Sequence, residues 1–139
     1  MNKCLVLFVE GDTEVVLCSD TDVFEFASKP PIKWDEVKRE LVNNWASKII
    51  HLQAKRSIED WFLCDTEGIL AFLRLNKNTK VSGKSGYDKL QRLYKKANKV
   101  YYKGIKSNGM IGRLDIEKIA NAVKDQLIPL YKALGVDKN

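Results

Sequence analysis

Residues 3–22 read KCLVLFVEGDTEVVLCSDTD, and this stretch decides the fold class. Lys3 to Val9 form a continuous apolar run that is partly β-branched and too short for a helix. Such a run is expected of a strand buried on both faces in a parallel sheet. Val15 to Cys18 form a second short apolar run. The chain is therefore predicted to begin with two strands.

Strand and helix patterns alternate in the rest of the chain. Residues 34–45 carry apolar side chains at helical spacing, and residues 47–53 return to a strand pattern. The later segments are predicted as a helix capped by Ser57, a helix over 66–73, an exposed loop over 76–86, a basic helix over 87–97, and an amphipathic helix over 114–134 bent at Pro129. This alternation predicts an α/β sandwich with a helical C-terminal half.

Length and composition limit the number of domains and the cell compartment. A chain of 139 residues with 45% hydrophobic residues can bury one ordinary core. We predict a single domain over 1–139, with a motif-bearing α/β part over 1–65 and a basic, mainly helical part over 66–139. No run approaches the about 18 apolar residues of a membrane span, and the N-terminus lacks a signal-peptide pattern. The sequence predicts a cytoplasmic protein with no membrane partner.

Cysteine and histidine usage argues against two other kinds of site. Cys4, Cys18 and Cys64 lack metal-ligand spacing and lie in apolar runs, so we expect buried, reduced thiols rather than disulfides or zinc ligands. His51 is the only histidine, which excludes a His-based metal cage and leaves little room for a Ser/His/Asp triad. Its apolar surroundings favour a structural role.

Charge is distributed unevenly along the chain, whose net charge is +6. The first 26 residues hold six acidic residues and one basic residue, whereas the stretch from Arg74 to Lys106 holds eleven basic residues and one acidic residue. An acidic centre beside a basic field suits a metal site that acts on a polyanion, although solvated helix faces give the same pattern. The residues predicted to bind nucleic acid, DNA or RNA, are Lys55, Arg56, Lys84, Lys89, Arg92, Lys95 and Lys96. Lys84 lies in a Ser- and Gly-rich loop predicted to be flexible.

Acidic residues follow both predicted strands at the point where each ends. Glu10 follows the first, and Asp20 and Asp22 follow the second. Residues after parallel strands meet at the carboxyl edge of a sheet, and Mg²⁺ takes one or two carboxylates from protein. The spacing therefore favours a metal site, with a helix cap for Glu10 and an Asx-turn for the aspartates as the alternatives.

Three motifs resemble those of Toprim-domain proteins. Residues 8–14 (FVEGDTE) resemble the strand-Glu-Gly signature in the form seen in OLD-type nucleases and related bacterial phage-defence proteins. Residues 18–22 (CSDTD) resemble the strand-DxD signature, and residues 57–65 (SIEDWFLCD) are similar to the segment that follows in Toprim-like proteins. The resemblance covers about the first half of the chain.

The resemblance implies a Toprim-like sheet with flanking helices and Mg²⁺-dependent, or Mn²⁺-dependent, cleavage of nucleic acid by a nuclease or nickase of phage defence. Glu10 would be the metal-proximal general acid or base, and Asp20 and Asp22 would bind the metal. Glu14 and Glu59 would be candidates for a second metal. Two alternatives stay open: a non-catalytic subunit that senses nucleic acid or a phage protein, and primase-like nucleotidyl transfer. A second copy of the chain or a defence-system protein would be a further partner.

One departure from the Toprim pattern concerns the link between the first two motifs. Toprim domains place a helix, a strand and often another helix there, whereas only residues 11–19 intervene here. A helical crossover between parallel strands needs about a dozen residues or more. Either the chain is a compressed variant, or a segment is missing between the Glu and DxD motifs. With the short link, the two strands are not expected to be ordinary parallel neighbours.

Overall fold

The computed structural model describes residues 3–9, 12–20, 33–44 and 46–136 of a mixed α/β protein that is mostly helical. The chain divides into two compact units. The first unit comprises Met1–Arg56 and Asp125–Asn139, and the second comprises Ser57–Lys124. In the described residues the first unit carries the strands, and the second is helical.

The sheet has the strand order β1-β2-β3, with β1 at Lys3–Val9, β2 at Asp12–Asp20 and β3 at Lys48–Ala54. Strands β1 and β2 are antiparallel, and β2 and β3 are parallel. The inference that a short link precludes parallel pairing of the first two strands is confirmed, since antiparallel strands need only a tight turn. The expectation that β1 is a parallel strand is wrong for the same reason.

Strands β2 and β3 are joined through helix α1, Trp34–Asn44. Val15, Leu17 and Ala46 form a buried cluster in the first unit. The partly buried side chains packed against this cluster are Trp34, Val37, Leu41 and Ile49. Three of these come from α1 at helical spacing, which is the pattern that predicted the helix. The hydrophobic face of α1 therefore covers β2 and β3.

The second unit begins at Ser57 and is built from short helices. Its helices are α2 at Ile58–Phe62, α3 at Thr66–Leu73, α4 at Gly86–Lys96, α5 at Asn108–Ile111 and α6 at Ile116–Ala122. Two 3-10 turns lie at Leu63–Asp65 and Gly104–Ser107. Its buried core includes Ile69, Leu70, Leu90, Leu93, Met110 and Ile119. The helix starts predicted at Ser57 and Thr66 are confirmed.

The start of α4 packs closely on the start of α2. Ser57 is the N-cap residue of α2, as predicted, but its side chain accepts no hydrogen bond from the helix backbone, and Ser57 Oγ instead donates to Asp60 Oδ2 at 2.8 Å. A Cβ atom at Gly86 would lie 2.8 Å from the Asp60 backbone nitrogen and 3.0 Å from Ser57 Oγ. Glycine is thus needed at Gly86 because the two helix starts approach each other too closely for a side chain.

The single C-terminal helix predicted over 114–134 is wrong. The segment forms α6 and a separate helix α7, Lys124–Ala133, and Pro129 lies inside α7. Val123 leaves helical geometry, with φ −112° and ψ 21°. Ile119, Val123 and Leu127 are all buried, so the apolar stripe runs through the break and cannot reveal it. No helix of the described part of the chain is long and apolar enough to span a membrane.

Candidate functional site

The acidic residues predicted to hold Mg²⁺ are only partly described. Glu10 and Asp22 lie outside the described residues. Asp20 is the last residue of β2 and pairs with Ala54 of β3. Across residues 3–9, 12–20, 33–44 and 46–136, no group of three or more His, Cys, Asp and Glu side chains could hold a metal ion.

The strand register separates the two ends of β2. Val9, which precedes Glu10 in the chain, pairs with Asp12 at the start of β2, whereas Asp20 is at its end. Glu14 is also near the start, between Leu7 and Lys48. Six residues of strand span about 20 Å, so Glu14 and Asp20 cannot share a metal ion or a two-metal centre. The antiparallel β1 removes the reason for placing the Glu and DxD motifs at one sheet edge.

Two predicted phosphate-binding residues follow the strand partner of Asp20. Lys55 and Arg56 come directly after Ala54, and both are exposed. The Lys55 backbone N–H donates a hydrogen bond to Gln126 Oε1 at 2.7 Å. Arg56, two residues after the end of β3, has a φ of 67°, an uncommon conformation for a residue other than glycine. A carboxylate residue and two cations thus lie at the same end of a parallel strand pair.

His51 contacts other residues of the first unit, as expected of a structural histidine. Its Nε2 lies 2.9 Å from the Oγ of buried Ser19, and its ring centroid lies 4.8 Å from that of Trp34. Burial, and next the positive charge of Lys38, lower the pKa of His51. The neutral imidazole therefore links β3 to β2 and to α1.

We expect the lowered pKa of His51 to make the protein less stable in weak acid. The unfolded chain takes up a proton near pH 6.5, whereas the folded state resists it, so stability falls as the pH drops below 6.5. His51→Gln should remove the loss of stability that comes from protonation of His51, because glutamine keeps a hydrogen-bonding side chain that does not take up a proton. Urea unfolding of both proteins on either side of pH 6.5 measures it. An equal loss in the variant would contradict this role, since the chain has no other histidine.

Two carboxylates of the third motif, residues 57–65, are buried in the second unit, and both oxygens of Asp65 accept hydrogen bonds. It accepts hydrogen bonds from the Gly68 N–H at 3.3 Å and the Asp115 N–H at 2.9 Å, and from the Lys118 ammonium at 3.2 Å. Burial alone would raise the pKa of Asp65, but these three donors together hold it below its usual value. Asp65 therefore anchors the start of α3 to the start of α6.

Glu59 is the other buried carboxylate of this motif, and one of its oxygens has two partners in the second unit. Its side chain is fully buried, and Oε1 accepts a hydrogen bond from the Tyr101 hydroxyl at 3.3 Å and lies 3.4 Å from the Lys103 ammonium. Oε2 is buried without a hydrogen-bond partner in the described part of the chain. Burial, and next the charge of Glu59, raise the pKa of Tyr101. Glu59 belongs to the second unit and Asp20 to the first.

The predicted nucleic-acid-binding residues of α4 lie on its solvent side. Leu90, Leu93 and Tyr94 are buried on the other side of the helix. The cations at or before this helix are Lys84, Lys89, Arg92, Lys95 and Lys96, of which Lys89 is half-buried and the rest are exposed. Two of them already have partners, because Arg92 pairs with Asp88 at 3.0 Å and Lys96 donates to the Lys80 carbonyl at 2.8 Å. The solvent side of α4 therefore presents a dense positive charge.

The loop that contains Lys84 is held by the first turn of α4. Ser85 Oγ accepts a hydrogen bond from the Asp88 N–H at 3.1 Å, and the Lys84 N–H donates to Asp88 Oδ2 at 2.9 Å. The Arg92 hydrogen bond, and next that from the Lys84 N–H, lower the pKa of Asp88. Residues 84–88 thus form the cap at the start of α4.

Sequence reasoning overlooked the aromatic residues that lie among the C-terminal lysines. Tyr101 and Lys103 contact Glu59 from more than 40 residues downstream. The signal in the sequence is that tyrosines lie between the lysines of residues 99–106 (KVYYKGIK), whereas the count of basic residues considers only their charge. Comparison of the chain with family models, curated proteins and solved structures gave no match.

Proposed function

We propose that this chain binds nucleic acid and cleaves its phosphodiester backbone in a Mg²⁺-dependent reaction, with Asp20 and Asp22 holding the ion. The observation that supports this proposal most directly is the position of Asp20 at the end of the parallel pair of β2 and β3. Lys55 and Arg56 follow at the same end. A carboxylate that can bind a hard cation and two positive charges that can bind a phosphate thus lie at the same end of neighbouring strands.

The donor set fits the ion that the proposal requires. Asp20 and Asp22 are two residues apart, and two carboxylates are the number that Mg²⁺ ordinarily takes from a protein. When bound, the ion would supply positive charge that stabilises the phosphoryl group during displacement. Lys55 and Arg56 would orient the phosphate. The Toprim resemblance would assign Glu10 the transfer of a proton from the attacking water, but Glu10 follows Val9, which pairs at the start of β2 and not at the end where Asp20 lies.

The second unit would contribute most of the affinity for the polyanion. Exposed lysines on the solvent side of α4 can contact successive phosphates, and the release of counterions then drives binding whatever the base sequence. This division assigns cleavage to the first unit and binding to the second.

Binding without cleavage is the second candidate, and the register of β1 favours it. Val9 pairs at the start of β2, so the described strands do not bring the end of β1 to the end of β2 where Asp20 lies. Two aspartates without a general base would hold a metal ion and leave the phosphodiester intact. The chain would then be a sensor or regulatory subunit of a defence complex that binds nucleic acid or a phage protein.

Incubation with plasmid, linear DNA and RNA separates the two candidates. Each substrate is incubated with Mg²⁺, Mn²⁺ or EDTA, and binding is followed in parallel in EDTA. Cleavage that requires a divalent ion supports the nuclease and identifies its substrate. Binding without cleavage under every condition selects the sensor.

Neutralising Lys89 and Lys95 together is expected to weaken nucleic-acid binding and to flatten its salt dependence. Each lost phosphate contact should lower the slope of log affinity against log salt by about 0.9 for duplex DNA, or about 0.7 for a single strand. Fluorescence anisotropy in EDTA over a range of salt measures the slope. Lys33→Gln is the matched control, because this exposed lysine pairs with Glu36 in the first unit. Equal slopes for the wild type, the double variant and Lys33→Gln would show that the lysines of α4 do not contact nucleic acid and are only solvated.

A further inference from the structure

Three lysines of residues 99–106 each lie over an aromatic ring of the second unit. Lys99 Nζ is 5.4 Å from the ring centroid of Phe72, Lys103 Nζ is 5.0 Å from that of Tyr87, and Lys106 Nζ is 4.5 Å from that of Tyr102. We call residues 99–106 the tyrosine–lysine segment. A repeated pairing of lysine with an aromatic ring gives this segment both positive charge and flat apolar surface.

Two of the tyrosine rings are exposed, although neighbouring tyrosines are buried. Tyr102 is 53% exposed and Tyr87 is 36% exposed, whereas Tyr101 is 3% exposed. Tyr101 packs beneath Tyr87 with a centroid distance of 5.8 Å, and against Tyr94 at 5.3 Å. The Tyr87 hydroxyl also accepts a hydrogen bond from Gln91 at 2.7 Å. Tyr87 is therefore held in place while part of its ring remains accessible.

We propose that the tyrosine–lysine segment and Tyr87 bind single-stranded nucleic acid, with bases stacked on Tyr87 and Tyr102 and phosphates bound by Lys103 and Lys106. This inference rests on the proposed nucleic-acid binding and specifies its substrate class. Every base has a face that stacks on an aromatic ring, and such stacking together with backbone charge is how proteins hold single strands. A duplex keeps the faces of its bases inside the helix, so it can use the lysines but not the rings.

The free protein already contains the contacts that a nucleotide would exchange. Each ammonium group now lies over a ring, which is a weak attraction at an exposed site. A bound nucleotide offers a phosphate to the ammonium group and a base to the ring, and base stacking is the stronger contact. At Tyr102 the Lys106 ammonium therefore moves to the phosphate as the base takes its place, and this exchange needs only side-chain rotation. Lys103 also lies 3.4 Å from Oε1 of the buried Glu59, so it binds a phosphate while it stays beside that carboxylate.

An open cavity continues the positive surface from Lys99. It has a volume of about 890 Å³, within the range of small-molecule sites, and Phe72 forms part of its wall. Its lining contains four basic residues, Arg74, Lys96, Lys99 and Arg113, and no acidic one. The cavity is lined by the last residues of α4, whereas Tyr87 is in the first turn of that helix, about 15 Å away along its axis, so only a strand of several nucleotides could reach both. Basic residues are also favoured at the C-terminal ends of helices such as α3 and α4, so the charge of this cavity alone does not indicate a ligand. The variant that tests the inference is therefore placed at Tyr102.

The test compares single strands with a duplex in EDTA, where metal-dependent cleavage is absent. Fluorescein-labelled oligothymidine, oligouridine and a duplex of equal length are titrated with the full chain, and anisotropy gives each affinity. We expect both single strands to bind more tightly than the duplex. Tyr102→Ala should weaken single-strand binding roughly tenfold or more, whereas Tyr102→Phe keeps the ring and stays within about twofold.

Val100→Ala is the matched control, since Val100 is 63% exposed in the same segment and carries no ring. Its affinity should equal that of the wild type, and circular dichroism should show that every variant is folded. A duplex bound as tightly as the single strands, no binding of either, or an unchanged affinity of Tyr102→Ala would overturn the inference. Cleavage with Mg²⁺ is read separately. Single-strand binding without cleavage refutes only the nuclease, and cleavage without single-strand preference refutes only this inference.

Discussion

Replacing Asp20 with asparagine is expected to lower the rate of Mg²⁺-dependent cleavage by at least about a hundredfold. Asparagine keeps the size of the side chain and removes the negative charge that the ion requires. The affinity for nucleic acid should remain nearly unchanged, because the cations of the second unit supply it. The cleavage rate at saturating nucleic acid and the affinity in EDTA measure the two effects separately.

Asp35→Asn provides the control for this change in the first unit. Asp35 is an exposed acidic residue in the first turn of α1, away from any predicted metal ligand in the sequence. Its variant should cleave at the wild-type rate. An Asp20→Asn protein that also cleaves at that rate, after purification to remove contaminating nucleases, would show that Asp20 does not hold the catalytic ion.

Replacing Asp65 with alanine is expected to lower the free energy of unfolding by about 2–4 kcal/mol. The variant loses the acceptor of two backbone N–H groups and of the Lys118 ammonium. Partly buried donors without acceptors account for most of this loss. Urea unfolding at neutral pH measures the change.

Glu67→Ala separates this buried contribution from a surface ion pair. Lys118 lies 3.1 Å from Glu67 and 3.2 Å from Asp65, yet the Glu67 side chain is 86% exposed and that of Asp65 is 6% exposed. We expect a much smaller effect for Glu67→Ala, since exposed pairs contribute little. Equal effects of the two substitutions would contradict an anchoring role of Asp65.

The wild type and Asp65→Ala also test the pH dependence of stability that Asp65 should confer. Because the folded protein holds the pKa of Asp65 below 3.8, its contribution is complete above that pH and is lost as the pH falls further. Asp65→Ala should therefore lose less stability than the wild type on acidification through this range. Unfolding curves at a series of acidic pH values measure the difference.

Local patterns were sufficient to predict most elements of the fold. The apolar run of residues 3–9 is β1, and the helical spacing after Pro31 is α1. The short link after Val9 excluded a parallel crossover before the pairing was known. Periodicity could not show the break at Val123, because a buried residue at a helix end has the same spacing as one within a helix.

Contacts between distant residues were the part of the candidate site that could not be predicted. Residue spacing located Asp20 at a strand end, and the Toprim resemblance singled out Glu59. The partners of Glu59, which are Tyr101 and Lys103, come from a segment with no motif, and two of the three donors to Asp65 come from the start of α6. Such pairings are set by tertiary packing. The Lys84 loop shows the same limit, since its composition predicts a loop but not the hydrogen bond from the Lys84 N–H to Asp88.

The most direct measurement of the central claim is the rate of backbone cleavage in Mg²⁺, after EDTA, and after Mg²⁺ is restored. Wild-type protein and Asp20→Asn are purified in parallel and tested on the polymer that the wild type binds most tightly. The account predicts cleavage by the wild type that stops in EDTA and returns with Mg²⁺, and almost none by Asp20→Asn. Tight binding without cleavage, or cleavage that persists in EDTA, would contradict it.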